Sequence, residues 1–450
     1  MSGGFELRRR MARFDWDILN TLLFRGWSVL AGGGTALLIP LLLTPAEQGY
    51  YYTFTSVLAA QIFFELGLNH VLTQLTSHCA AHLDRPHPEG PLRGEPRWQH
   101  ALASLLRLSD RWNAVMASLF FVALLAGGSQ FFEHKGTLAS GDWLAVWVIL
   151  VLSTALNLAM SARLSICEGL GAVGPVAQLR LRQSVLGYAL LWFLLLSGAG
   201  LWAAAALPTV SALFTFWWHA GQPMLPHLRR LPAVGAEGSV RYTWRHDIFP
   251  LQWRIAVSWA SGYFIFFFIT PVVFALQGPV EAGRLGLALT IYSAITAVGM
   301  SWVTAKIPAF GGHIARGERT DLDILFNRQA RRSVTATGLC VVVLLVLIGV
   351  ATQFVPAVQQ RLPSMAAMAM LGAVAVANAF IFAMAAYIRA HKEEPLLAQA
   401  VVTALLIGAG VWASAHDSVD TSVAVYLAVT IGVALPWCFA IFSRYRQRSA

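Results

Sequence analysis

Residues 8–43 read RRRMARFDWDILNTLLFRGWSVLAGGGTALLIPLLL, and this stretch decides the fold class. Four arginines, Arg8, Arg9, Arg10 and Arg13, precede an apolar run from Leu19 to Leu43. About 20 residues at 1.5 Å each cross roughly 30 Å of hydrocarbon, so the run is long enough to span a bilayer. It is also too long for the apolar core of a signal peptide, which reads it as a retained first span.

The same pattern recurs through the 450 residues. Further apolar runs lie near Gln48 to Leu72, Trp112 to Phe131, Trp143 to Ile166, Pro175 to Leu196, Leu201 to Trp218 and Leu251 to Leu276. The series continues with Leu285 to Phe310, Val334 to Phe354, Ala366 to Ile388, Leu396 to Ala413 and Val423 to Phe442. Composition agrees: 57% of residues are hydrophobic, 12% are charged and the mean hydropathy is +0.61, which excludes an ordinary water-soluble globule. The expected fold class is an all-α integral membrane protein of about twelve transmembrane helices.

An even number of spans puts both termini on one side, and the basic residues say which. With this assignment 29 of the 32 Lys and Arg fall in alternate gaps; Lys135, Arg284 and Arg361 fall in the others. Both termini are therefore expected in the cytoplasm of a multi-pass protein. The net charge of +10 is spread along membrane edges rather than gathered in one basic domain, so it is no footprint of nucleic acid. Cys79, Cys167, Cys340 and Cys438 form no CxxC pair and indicate neither a disulfide framework nor a metal site.

The segment Gly221 to Pro250, with Pro223, Pro226 and Pro232, has the composition of a cytoplasmic linker. It divides the chain into an N-terminal six-helix bundle, 1–220, and a C-terminal one, 251–450. Two other long inner gaps follow the second helix of each half. Each carries an apolar stripe beside arginines, Trp98, Leu102, Leu105 and Leu106 in one, Leu322, Leu325 and Phe326 in the other, and short interfacial helices are expected there. Asn157 and Gln178 match Asn378 and Gln399 at a common offset of 221, and Arg25 in the first helix matches Arg254 in the seventh. These repeats point to two homologous bundles in parallel orientation, an arrangement that places a substrate path between them.

Ionisable groups inside apolar runs cost about 2.5–3.5 kcal/mol each and need a reason. Glu65 is the clearest, and Gln61, Glu65, Asn69 and Thr73 fall four apart on one helical stripe. Glu65 and Arg25 are expected at similar depth. They are either a structural ion pair or a cation presented to an anionic substrate under control of Glu65 protonation. Arg254 either snorkels to the headgroups or lines a cavity opposite Arg25. Arg180 and Arg182 read as interface anchors or as further anion ligands. Gly32, Gly33, Gly34 and Pro40 in the first helix and Pro271 in the seventh are candidate hinges. Gly169, Gly171 and Gly174 fit GxGxxG, but no strand precedes them, so the dinucleotide reading fails. No HExxH, Walker A or GxSxG motif occurs, so no catalytic residue, metal or cofactor is assigned.

Glu47-Gln48-Gly49-Tyr50-Tyr51-Tyr52-Thr53-Phe54 running into Gln61-Ile62-Phe63-Phe64-Glu65-Leu66-Gly67-Leu68, with Glu168 to Val173 and Gln178 to Gln183, resembles bacterial polysaccharide transporters. These are the O-antigen type lipid-linked oligosaccharide flippases of the multidrug/oligosaccharidyl-lipid/polysaccharide (MOP) superfamily. The resemblance implies a V-shaped pair of bundles around a cationic cavity. It implies alternating access that moves an undecaprenyl-pyrophosphate-linked oligosaccharide from the inner to the outer leaflet of the bacterial inner membrane. Arg25 and Arg254 correspond by position to cavity arginines of such flippases. Coupling to a proton or sodium gradient, with Glu65 as the coupling group, and partnership with a polysaccharide polymerase and glycosyltransferases are implied likewise. The competing readings are a cation-coupled multidrug exporter of the same superfamily and a membrane glycan polymerase or acyltransferase.

Overall fold

The computed structural model of the protein describes residues 20, 23–24, 26–84, 93–222, 226–228, 242–354, 356–391 and 394–449. In chain order the helices are α1 (Gly26–Leu42), α2 (Pro45–Leu58), α3 (Ile62–Glu65), α4 (Leu68–Ala80), α5 (Pro96–Ala123), α6 (Ser129–Lys135), α7 (Ser140–Gly169), α8 (Val173–Leu196) and α9 (Trp202–Ala220). They continue as α10 (Phe249–Phe266), α11 (Ile269–Gln277), α12 (Pro279–Thr304), α13 (Ile307–Arg316), α14 (Arg319–Phe354), α15 (Pro356–Arg361), α16 (Met365–Ala390), α17 (Leu397–Ser414), α18 (Val419–Val429) and α19 (Leu435–Ser449). Two short strands, Leu83–Asp84 and Arg93–Gly94, pair antiparallel between α4 and α5.

Among the described residues eight helices are long and apolar enough to cross a membrane, and counting two bent pairs as single spans makes ten. The bent pairs are Pro45–Glu65 with Leu68–Ala80, at 45°, and Trp244–Phe266 with Ile269–Gln277, at 40°. The first and sixth apolar runs are helical too, as α1 and α9. The molecule is thus a multi-pass helical membrane protein.

Local chemistry sets the helix ends. Thr44 caps α2 by accepting from the Glu47 N–H at 3.2 Å, the Glu47 carboxylate accepts from the Thr44 N–H at 2.8 Å, and Pro45 occupies the first turn. Ser364 caps α16 through the Ala367 N–H in the same way.

The two apolar stripes expected as separate interfacial helices are instead the first turns of spanning helices. Trp98 to Leu106 belong to α5, which continues through a π turn into α6 as one helix, Pro96–Lys135. Leu322 and Phe326 belong to the 36-residue α14. Their apolar faces are covered by protein rather than lipid. Leu102 and Leu106 pack with Ile166, Cys167, Val176 and Leu228, and Leu322 and Phe326 pack with Val303, Phe310, Tyr387 and Phe442. Periodicity identified the apolar side of each segment but not what buries it.

Contacts sort the chain into two compact units that do not follow the two sequence halves. Unit one comprises Met1–Ala31, Ala60–Glu133 and Leu138–Trp259; unit two comprises Gly32–Ala59, His134–Thr137 and Ala260–Ala450. The N-terminal bundle expected over 1–220 therefore lends most of α1 and all of α2 to unit two, and the run starting at 251 lends the first part of α10 to unit one. The reason for the first exchange is backbone contact. A Cβ on Gly49 would run into the Pro279 carbonyl, one on Gly283 would lie 2.7 Å from the Gly49 nitrogen, and one on Gly286 would meet Tyr52. Gln48, 1% exposed, donates from Nε2 to the carbonyls of Gly283 at 2.9 Å and Arg361 at 3.3 Å. Glycines let α2 and α12 approach closely, and one buried amide locks their register.

Unit one is built around α7, which packs on α4, α5 and α9. Of the GxGxxG glycines, Gly169 serves this packing and Gly171 the turn after it. A Cβ on Gly169 would lie 2.7 Å from the Thr76 Cβ, and Gly171, at φ 86°, ends α7 in a left-handed turn where the Ala172 N–H donates to the Cys167 carbonyl.

Candidate functional site

In unit one the polar stripe on the second span survives, but the helix beneath it breaks. Leu66 and Gly67 are both left-handed, at φ 51° and 68°, between α3 and α4. Glu65 is the last residue before the break and Asn69 lies just beyond it. The Asn69 Nδ2 donates to Glu65 Oε1 at 2.7 Å, tying the two pieces together. The Thr73 hydroxyl donates to the Asn69 carbonyl at 3.0 Å and lies 3.3 Å from the Ser165 carbonyl on α7. Gln61 ends the 3-10 turn that precedes α3 and is half-buried. Asn69 Oδ1 is buried and accepts no hydrogen bond among the described residues.

The helix seated on this break carries Arg254. A Cβ on Gly67 would collide with the side chain of Ile255 on α10. Gln252, one turn earlier and 3% exposed, has a buried Nε2 with no acceptor among the described residues. The guanidinium of Arg254 itself is exposed and lies over the Trp253 ring at 5.4 Å from its centroid, with no carboxylate partner among the described residues. Sequence reasoning picked out Arg254, Glu65 and Asn69 separately. It missed Gln252 and the contact of Ile255 with Gly67, for which the glycine after Glu65 was the available signal.

The remaining sequence candidates separate. Arg25 lies outside the described residues, so its pairing with Glu65 stays an expectation. Arg180 pairs with Glu168 at the end of α7, 2.9 Å apart, and so bridges α7 and α8 while its side chain stays about half exposed. Arg182 on the same helix is exposed, with no ion pair among the described residues. Gly32, Gly33, Gly34 and Pro40 lie within the unbroken α1, although the chain passes from one compact unit to the other at Ala31–Gly32. Pro271 falls just after the break between α10 and α11, where its missing N–H leaves the Phe267 carbonyl without a helical donor.

The residues paired by the offset of 221 have different surroundings. Asn157 on α7 donates to the Pro208 carbonyl of α9 at 2.9 Å, and Asn378 on α16 hydrogen-bonds Tyr426 of α18. Gln399 is buried and reaches the Ala434 carbonyl at 3.2 Å, but its sequence match Gln178 is exposed. The buried residue that plays this part in unit one is Gln183, which donates to Thr215 Oγ1 at 2.8 Å on α9.

Two other polar groupings occur among the described residues, one in each unit. Gln74, Leu75, Ser77, His78, Tyr242 and Leu251 line an open cavity of about 500 Å³ at the far end of α4 from the break. His313, Glu318 and Asp321 bring ligand atoms within 4.8 Å of one another, but Arg316 already holds Glu318 at 2.8 Å, so this cluster is an ion-pair network.

No protein-family model and no curated protein matches the sequence. Solved structures do match the fold over nearly the whole chain. One is the inward-facing conformation of a multidrug resistance MATE family transporter of the MOP superfamily, at 15% identity, covering 96% of each chain with a TM-score of 0.62. Another is the lipid II flippase MurJ in an inward closed conformation, at 12% identity, covering 96% of this chain and 90% of that one with a TM-score of 0.63. A MOP superfamily transporter from Pyrococcus furiosus, described as having a binding pocket of reversed polarity, matches at 14% identity, 96% and 94% coverage and a TM-score of 0.50. The chain has the fold of the MOP transporters.

Proposed function

We propose that this chain is a flippase. Its cargo is an undecaprenyl-pyrophosphate-linked oligosaccharide, carried from the cytoplasmic to the outer leaflet of a bacterial inner membrane by alternating access. The product would feed synthesis of a surface polysaccharide such as O-antigen, capsule or exopolysaccharide, alongside a polymerase and glycosyltransferases. Twelve spans with both termini cytoplasmic, and two homologous halves, 1–220 and 251–450, joined by 221–250, belong to the same reading.

The observation that carries it is Arg254. A guanidinium on a spanning helix without a carboxylate partner among the described residues costs about 2.5–3.5 kcal/mol unless something anionic meets it. A pyrophosphate does so with paired hydrogen bonds that lysine cannot reproduce. Arg254 sits beside Ile255, which seats α10 on the Glu65 break, so an anion held there is next to the group best placed to sense protons or sodium. Arg25, Arg180 and Arg182 are further proposed ligands of the anion, Gln61 and Asn69 support Glu65, and Gly32, Gly33, Gly34, Pro40 and Pro271 are proposed hinges. The MurJ likeness supports a lipid-linked cargo and the MATE likeness supports alternating access; their similar TM-scores do not choose between lipid and drug.

The test is deletion followed by identification of the lipid-linked sugar that accumulates in the inner leaflet, with complementation by Arg254→Ala and Arg254→Lys. Accumulation relieved by the native protein and not by Arg254→Ala is the expected result. Unchanged lipid-linked sugar with heightened drug sensitivity would establish the multidrug reading instead.

A further inference from the structure

The exposed stripe of α14 changes character abruptly along its length. Arg328, Arg331 and Arg332 are all exposed; Arg331 and Arg332 follow Arg328 by three and four residues, which puts each of them about 5–6 Å from it on the helix surface, while they themselves are neighbours in sequence. None has an ion-pair partner among the described residues; the nearby Asp323 is committed to Arg446, 2.6 Å away, and Asp321 lies about two turns from Arg328. Beyond Thr335 the same face presents Leu339, Val342, Val346 and Val350, with Leu339 66% exposed, and the helix ends at Phe354, 79% exposed. Only 11% of the most apolar stretch of α14 is buried, against 22–44% in the other seven long apolar helices among the described residues. A single helix face therefore offers three unneutralised cations at one level and a bare apolar track from that level inward.

The neighbouring helix marks the same level. A Cβ on Gly299 of α12 would collide with the Thr337 hydroxyl and lie 3.1 Å from the Ser333 carbonyl, so α12 and α14 touch there. Exposed Trp302 follows Gly299 by three residues, about 5 Å along α12, which puts it level with Arg332. Exposed Lys306 lies two residues past the end of α12, on the same side. Tryptophan and basic residues together mark the headgroup region of a bilayer.

We propose that this face of α14 is a binding site for an anionic phospholipid. Its phosphate is held by Arg328, Arg331 and Arg332, and an acyl chain lies along Leu339 to Phe354. Charge complementarity selects the occupant: three guanidiniums within one turn repel one another until an anion joins them, and a zwitterionic headgroup supplies no net charge to do so. Orientation of the span alone requires basic residues on that side of the membrane, not three aligned with the lipid-facing stripe.

The test uses the full-length protein in nanodiscs of phosphatidylcholine containing phosphatidylglycerol, with bound lipid counted by native mass spectrometry after detergent exchange. Arg328→Gln/Arg331→Gln/Arg332→Gln is expected to lose phosphatidylglycerol retention by about five-fold per arginine, roughly 100-fold in all. Arg97→Gln/Arg107→Gln/Arg111→Gln, which removes the same charge from α5, is expected to retain it. Arg328→Lys/Arg331→Lys/Arg332→Lys keeps the charge and checks folding, and single Arg332→Gln gives the per-residue effect if the triple variant is not recovered. Equal retention by the α14 glutamine variants, or equal loss in the α5 variant, overturns the site. Displacement by undecaprenyl pyrophosphate but not by added phosphatidylglycerol overturns the phospholipid assignment and gives the face to the transported lipid.

Discussion

The side chain of Ile255 occupies the position that a Cβ on residue 67 would take, and Gly67 is left-handed at φ 68°. Glycine is required there for both space and conformation. Gly67→Ala should therefore destabilise the protein by about 2–4 kcal/mol, combining the left-handed penalty with overpacking against α10. Gly67→Ala/Ile255→Ala should recover the packing share alone, and the double-mutant cycle read from thermal midpoints in detergent measures it. Additive single effects would mean that α10 does not rest on the break.

Gly49 should be equally intolerant for a different reason. Its backbone is not left-handed, but a Cβ would strike the Pro279 carbonyl, which cannot swing away as a flexible side chain does. Gly49→Ala should separate α2 from α12 and remove the Gln48 hydrogen bonds to Gly283 and Arg361, at about 1–3 kcal/mol or more. Gln48→Leu should cost less, about 0.6–1.7 kcal/mol, as the loss of an intramembrane hydrogen bond. Reversal of that order in unfolding experiments would put the register in the amide rather than in the glycines.

Glu65→Gln should leave the fold intact, because the amide oxygen can still accept from Asn69 across the break. If Glu65 carries the coupling, transport by the variant should lose its dependence on pH while substrate binding remains. A pH profile matching that of the native protein would make Glu65 a structural link between α3 and α4.

The junction between α13 and α14 should respond to acid. Hydrogen bonds from Arg316 and His313 hold the Glu318 carboxyl down from 4.5 to about 2. A depressed folded value means that the contribution is complete above the unfolded value and is lost as pH falls through about 2. Local opening of this junction, followed by hydrogen exchange of Gly317 and Arg319, should rise between pH 5 and 2 in the native protein. Glu318→Gln should flatten that rise.

Much of this molecule was legible in the chain. Every apolar run read from the sequence contains helix in the described residues, because length and hydropathy are properties of a segment by itself. The stripe of Gln61, Glu65, Asn69 and Thr73 was legible for the same reason. The break at Leu66 and Gly67 was not, since Leu66 is a residue that avoids φ 51° and only the helix packed on Gly67 makes that conformation pay. Gln178 was matched to Gln399 by spacing, yet Gln183 is the residue buried against α9, because spacing along the chain does not say which face meets a neighbour.

The opening run of arginines before a long apolar helix, repeated along the chain, was enough to determine a multi-pass helical membrane protein and the sidedness expected of it. Hydrocarbon imposes that outcome on any such segment, whatever surrounds it. Only the tertiary structure decided that α2 joins α12, that the stripes at Leu102 and Phe326 face protein rather than lipid, and that Arg254 sits beside the break carrying Glu65. Those are relations between segments far apart in sequence, set by where glycines let backbones touch, and no single stretch of the chain contains them.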